Sequence, residues 1–186
     1  MKTIGVKELM VPLEDYVTIS EEATLFEAVS ALEKARDEID RTRYQDLHRA
    51  VLVSDKDNRI VGKIGMLDML KALEPRYREL GDPGRLSRAG FSVQFLQSML
   101  DHASLWSSPL KDLCSKAATL KVKNFLNAPT EGEYVEESAG LDEAIHQLLM
   151  GHHQSLLVTK DKNIVGILRV CDVFLEVSKT MKTCKL

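Results

Sequence analysis

Residues 6–29 read VKELMVPLEDYVTISEEATLFEAV, and residues 122–145 read VKNFLNAPTEGEYVEESAGLDEAI. The two stretches align without a gap at an offset of 116: Val6-Lys7 falls on Val122-Lys123, Ile19 on Val135, and Leu25-x-Glu27-Ala28-Val29 on Leu141-x-Glu143-Ala144-Ile145. Similarity at a fixed offset marks a duplicated unit. It continues downstream, where Ile60-Val61-Gly62 matches Ile164-Val165-Gly166 and Asp68 matches Asp172, now at an offset of 104.

Each copy follows one grammar. A short β-branched stretch (Val17-Thr18-Ile19, or Tyr134-Val135) precedes an amphipathic helix whose apolar face carries Leu25, Ala28, Val29 and Leu32, or Leu141, Ala144, Ile145, Leu148 and Leu149. Thr24 is placed to cap the first of these helices. Two apolar strands follow, Ala50–Val53 with Ile60–Ile64 and Leu156–Thr159 with Ile164–Leu168, joined by the polar turns Ser54–Arg59 and Lys160–Asn163. A last helix begins near Asp68 or Asp172. The fold class is therefore α/β: two β-α-β-β-α units that bury their sheets against each other, because one unit alone hides too little surface to be stable.

The copies differ in two places. The offset falls from 116 to 105 by Val53/Val158, so the first copy holds 11 extra residues before its second strand. Glu33–Arg49 alternates charges densely, which predicts a solvated extension of the first helix through about residues 33–49. Between the copies, Pro75, Gly81, Pro83, Gly84 and Gly90 predict a loop. Phe91, Phe95, Leu96, Met99, Leu100 and Ala103 then recur at helical spacing, and Ser108-Pro109 suits the start of a short helix carrying Leu110, Leu113 and Cys114. The expected organisation is a first unit over 1–73, a helical insert over 74–120, a second unit over 121–180 and a tail over 181–186.

Composition narrows the function. With 44% hydrophobic and 28% charged residues the chain reads as an ordinary globular protein, and a net charge of −3 gives no reason to expect nucleic-acid binding. No apolar run approaches the roughly 20 residues that span a bilayer, and MKTIGVKELMVPLEDY lacks the apolar centre of a secretory signal. Cys114, Cys171 and Cys184 make neither a CxxC pair nor an even disulfide set, so a cytoplasmic location is expected. His146, His152 and His153 cluster without a spacing that suits zinc, and Cys171 reads as a small, semi-buried filler. There is no Gly-x-Ser-x-Gly elbow and no GxxxxGK[ST] loop. Neither a metal nor catalysis is expected.

The repeated frame V-K-x-x-[LM] … T-L-x-E-A-V … V-L-V-x-D … I-V-G-x-I … D resembles the cystathionine-β-synthase-type (CBS) domain, two of which in tandem form a Bateman module. The resemblance covers most of 1–73 and 120–180. It implies a pseudo-twofold pair with two clefts between the copies, binding an adenosine compound (AMP, ADP, ATP or S-adenosylmethionine) and regulating another protein. Homodimerisation is also expected, with an effector that the sequence does not name.

The family's ligand signature, G-x-x-[ST]-x-x-D, survives in part as Gly62-Lys63-Ile64-Gly65-Met66-Leu67-Asp68 and Gly166-Ile167-Leu168-Arg169-Val170-Cys171-Asp172. Both aspartates remain as acceptors for ribose hydroxyls, while both hydroxyl residues are gone. Gly65 offers only backbone, and Arg169 offers a charged fork for phosphate. Each Asp has a structural alternative: an ordinary helix cap at Asp68 and an ion pair with Arg169 at Asp172. The resemblance places adenine against Ala50, Val51, Ser155 and Leu156 and the approaches Met10-Val11 and Leu126-Asn127. His48, Arg49, His153 and Gln154 precede the strands, where the basic ones are within reach of a phosphate tail or, as is more usual for such residues, simply solvated. A second reading remains open, in which the chain keeps the fold as an interaction module and its clefts are filled by side chains.

Overall fold

The computed structural model of the chain describes residues 4–44, 46–74, Ser92, Phe95, Ser98 and 112–183. Both predicted units are present. In the first, β2 (Thr18–Ser20), α2 (Leu25–Asp37), β3 (Ala50–Ser54), β4 (Ile60–Gly65) and α3 (Met66–Leu73) follow in order, after a short helix α1 (Val6–Leu9) and strand β1 (Val11–Pro12). The second has β5 (Tyr134–Glu136), α5 (Leu141–Gly151), β6 (Ser155–Lys160), β7 (Asn163–Arg169) and α6 (Val170–Thr183), preceded by α4 (Leu113–Thr119). In each unit the first strand runs parallel to the second, with the helix as crossover, and the second and third form an antiparallel hairpin.

Local chemistry sets these elements. The Thr24 hydroxyl accepts from the Glu27 amide at 3.2 Å while the Glu27 carboxylate accepts from the Thr24 amide at 2.6 Å, a reciprocal cap that starts α2. The second hairpin turns on Asp161 and Lys162, with φ of 49° and 66°, between the paired Lys160 and Asn163. Positive φ at both central residues matches the twist of the flanking strands. α5 ends with His152 at φ 51°, its amide bonded to the Leu148 and Leu149 carbonyls, so His152 and not the preceding Gly151 takes the left-handed position.

The central strands alternate between two cores. Val51 and Val53 face the helices of the first unit, and Leu156 and Val158 those of the second. Leu52 and Leu157 point the other way, meeting Val11, Tyr16 and Ile167 between the sheets. Burial on both faces explains why β3 and β6 read as continuous apolar runs. Each of the fully buried residues Leu52, Leu157 and Ile167 contributes roughly 1.5–3 kcal/mol through removal from water.

The leading arms of the two units are exchanged. β1 pairs antiparallel with β7, giving sheets of order β1-β7-β6-β5 and β2-β3-β4. Val6, aligned with Val122, lies in the second unit's core, bonded to the Ala139 carbonyl at 3.1 Å; Val122 lies in the first unit's core, bonded to the Ala23 carbonyl at 2.8 Å. The glycine of each I-V-G triplet receives the other unit's arm. A Cβ on Gly166 would stand 2.6 Å from the Val11 carbonyl oxygen, and one on Gly62 would stand 3.0 Å from Leu126 Cδ1. Close backbone approach requires the missing side chain.

One expectation fails. α2 stops at Asp37 instead of extending toward Arg49. Asp40 Oδ1 accepts from the Thr42 amide at 2.9 Å and the Thr42 hydroxyl at 2.6 Å, a local turn that competes with helix. Of the expected insert, the stretch Phe91–Ala103, apart from Ser92, Phe95 and Ser98, and the pair Ser108-Pro109 lie outside the described residues. α4 is present, with Ala117 buried in the first unit's core.

Candidate functional site

The junction of β4 with α3 opens onto a cleft of about 690 Å3 between the two units. Its walls include Arg49, Ala50, Ile64, Gly65, Met66, Leu67, Asp68 and Lys71 from the first unit, and Leu126, Asn127, Glu133, His153, Ser155 and Arg169 from the second half of the chain. Asp68 stands in the first turn of α3. Its Oδ2 accepts from the Gly65 amide at 2.9 Å, so the capping role is real. Its Oδ1 has no hydrogen-bond partner among the described residues, and Asp68 is in no ion pair among them.

Lys63 crosses the cleft. Its Nζ donates to Glu133 Oε2 at 2.8 Å and to the Ser155 carbonyl at 2.9 Å. Burial alone would raise the Glu133 carboxyl, yet the lysine beside it holds it below its ordinary value. The lining cations Lys63 and Arg169 are thus paired with carboxylates, while Arg49 and Lys71 remain exposed at the rim.

At the corresponding position of the second unit both oxygens of the aspartate are engaged. Arg169, only 4% exposed, grips Asp172 with two bonds of 2.6 Å, one from Nε to Oδ2 and one from Nη2 to Oδ1. Its Nη1 donates to the Asp46 carbonyl at 2.9 Å and lies 3.5 Å from His48 Nδ1. The Tyr44 ring lies 5.6 Å from the guanidinium carbon, within cation–π range. Tyr44 donates to Asp15 Oδ2 at 2.9 Å, and Arg43 pairs with the same oxygen at 2.6 Å. Tyr16 packs edge-on against His48 at 4.3 Å between ring centres.

This environment shifts several protonation equilibria. Burial, with help from the Arg169 charge, pushes His48 down to about 4, so the ring is neutral at pH 7. Burial pushes the Tyr16 phenol well above its ordinary range and the Cys171 thiol upward, so Cys171 lacks the thiolate character that reactivity needs. Burial, then the bond to Asp15, pushes Tyr44 up to about 12.

Of the residues singled out in the sequence, the cleft brings together Asp68, Gly65, Ala50, Leu126, Asn127, Ser155 and Arg169. Val51, Leu156 and Val11 are fully buried in the cores, where strand alternation turns them inward, and Met10 packs against the second core with its sulfur toward Gly166. Asp172 is engaged by Arg169. Arg169's donors face the carboxylate and the Asp46 carbonyl, so they are not free for phosphate. His48 is buried, contrary to the solvated role expected of it, because Tyr16 and Tyr44 cover it. Sequence reading missed Lys63 and Glu133 altogether. A lysine where the other copy has Ile167 was the available signal. Among the described residues no group of His, Cys, Asp or Glu is placed to hold a metal ion, and no helix is long and apolar enough to cross a membrane.

Two sheets facing each other across a cleft, built from exchanged β-α-β-β-α units, give the chain the fold of a tandem CBS pair. Residues 6–75 match the CBS domain family model. The solved structures agree in fold: the CBS-pair protein CBSX2 from Arabidopsis thaliana superposes with a TM-score of 0.62 at 17% identity, covering 98% of this chain and 100% of that one. CBSX2 in complex with AMP gives 0.56 at 18% identity, covering 96% and 98%. A CBS domain-containing protein of unknown function from Kribbella flavida gives 0.57 at 15% identity, covering 94% and 98%. No curated protein matches the sequence. Residues 6–75 thus match the CBS domain family, and the chain as a whole has the fold of a tandem CBS pair.

Proposed function

We propose that this chain is a regulatory CBS pair that binds an adenosine nucleotide in the Asp68 cleft and passes the occupancy of that cleft to a separate partner protein. The observation that carries this reading is the Asp68 carboxylate, half engaged as a helix cap and half free, facing a cleft of about 690 Å3 with Arg49 and Lys71 at its rim. An ionised carboxylate is an acceptor-only group suited to ribose hydroxyls. Ala50, Ile64, Met66 and Leu126 supply an apolar wall for a base. With Lys63 and Arg169 already paired, Arg49 and Lys71 are left as positive charge, which favours an anionic tail over the sulfonium of S-adenosylmethionine. The structural neighbour crystallised with AMP supports the same ligand class.

Signalling needs a ligand that prefers one arrangement of the two units. Lys63 already ties them together through Glu133 and the Ser155 carbonyl, so an anion arriving beside it changes the balance of that tie. The exposed apolar residues Leu67 and Leu70 on α3 and Phe174 on α6 offer the surface for the homodimer we propose.

The test is calorimetric titration with AMP, ADP and ATP, read beside thermal melting. Saturation at 100 times Kd stabilises by about 2.7 kcal/mol, so a melting shift of several degrees is expected. Asp68→Asn keeps a capping oxygen but loses the charge, and is expected to bind at least about tenfold more weakly for the loss of one charge-assisted bond. If millimolar concentrations of all three nucleotides give neither heat nor a melting shift, the reading is wrong.

A further inference from the structure

The first copy has a longer connection, residues 38–49 between α2 and β3, and it includes the groups that hold Arg169: the Tyr44 ring, the Asp46 carbonyl and His48, the last at the position that His153 takes in the second copy. The second copy has only His152, His153 and Gln154 between α5 and β6. The position that carries Arg169 in the second unit carries Gly65 in the first. Two independent sequence differences therefore meet at one place. We infer that this chain is a single-site protein, because Arg169, clamped by Tyr44, Asp46 and His48, fills the counterpart of the Asp68 site as a built-in occupant.

The guanidinium covers both oxygens of Asp172, the two acceptors that a ribose would need, and does so in a fork geometry that a carboxylate binds well. The clamp is itself anchored. Tyr44 and Arg43 both hold Asp15, and the Arg43 and Tyr44 amides bond the Asp40 carbonyl at 3.1 and 2.8 Å. His48 must present an unprotonated Nδ1 to the Arg169 donor 3.5 Å away, which a neutral ring provides. A nucleotide entering here would have to break a charge-assisted pair and displace an anchored segment, whereas at Asp68 it meets a free oxygen.

This rests on the adenosine reading of the Asp68 cleft, so the experiment has two arms on the full chain. By calorimetry with AMP, the unmodified protein is expected to take one equivalent, Arg169→Gly two, and Arg169→Gly with Asp172→Asn one again. Two equivalents in the unmodified protein, or one in a folded Arg169→Gly, overturns the inference. The second arm needs no nucleotide: amide exchange at Arg43 and Tyr44 is expected to quicken about tenfold in Arg169→Gly as the clamp loses its partner. Unchanged exchange overturns the inference, and an unmodified protein that binds no AMP overturns only the ligand reading. Should Arg169→Gly not fold, Arg169→Lys keeps the charge without the fork and is expected to quicken the same two amides; no change there is equally fatal.

Discussion

The two units share one backbone plan and have become opposites at the place where their sheets meet. Where the second unit sends Ile167 into the apolar layer with Val11, Leu52 and Leu157, the first sends Lys63 to Glu133 and the Ser155 carbonyl. Where the first has Gly65 and an Asp68 oxygen without a partner among the described residues, the second has Arg169 gripping both oxygens of Asp172. His48 is 3% exposed, while its aligned counterpart His153 is half-buried. On the proposed reading, one of two positions made equivalent by duplication binds the ligand and the other adds stability.

The largest effect expected from this contrast separates the two aspartates. Asp172→Ala leaves the buried Arg169 charge without its partner and should cost roughly 3–5 kcal/mol of unfolding free energy in urea. Asp68→Ala removes a cap at a glycine-started helix and should cost about 1 kcal/mol. Equal costs would erase the distinction. The paired glycines come next. Gly166→Ala drives a methyl against the backbone of the crossing arm and should cost about 2 kcal/mol, while Gly62→Ala meets the movable end of Leu126 and should cost well under half of that.

The pH dependence sharpens the same comparison. The folded-state pKa of His48 is depressed to about 4 from an unfolded value near 6.5. Below the unfolded value the unfolded chain takes up a proton that the folded ring refuses, so His48 stabilises fully above about pH 6.5 and its contribution is lost as pH falls toward 4. His48→Gln should flatten this part of the stability profile. His153→Gln should change it much less, since its burial is weaker. Tyr44→Phe removes one hydrogen bond to Asp15 and should cost about 1 kcal/mol by urea unfolding.

The repeat carried most of the fold. Alternating apolar residues in both copies, Thr24 as a cap and the polar hairpin turns all act locally, so their meaning can be read from neighbours in the chain. The arm exchange could not be read that way. Val6 and Val122 have the same apolar character whichever core receives them, and the choice depends on the path of the connection. The charged stretch after Asp37 misled for a related reason. Alternating charge suits a helix as well as a turn, and the Asp40–Thr42 bonds decide for the turn. At the cleft, Asp68, Gly65 and Ala50 could be found from the family motif. Lys63 and Glu133 lie outside it, and they are 70 residues apart in sequence. The burial of His48 depends on aromatic rings supplied by two separate segments.

The division of labour between the two crevices is tested most directly by a crystal structure of the protein soaked with AMP. One nucleotide is expected, its ribose on Asp68 and its phosphate toward Arg49 or Lys71, with the Arg169–Asp172 pair intact. Nucleotide on Asp172 with Arg169 swung aside would contradict it.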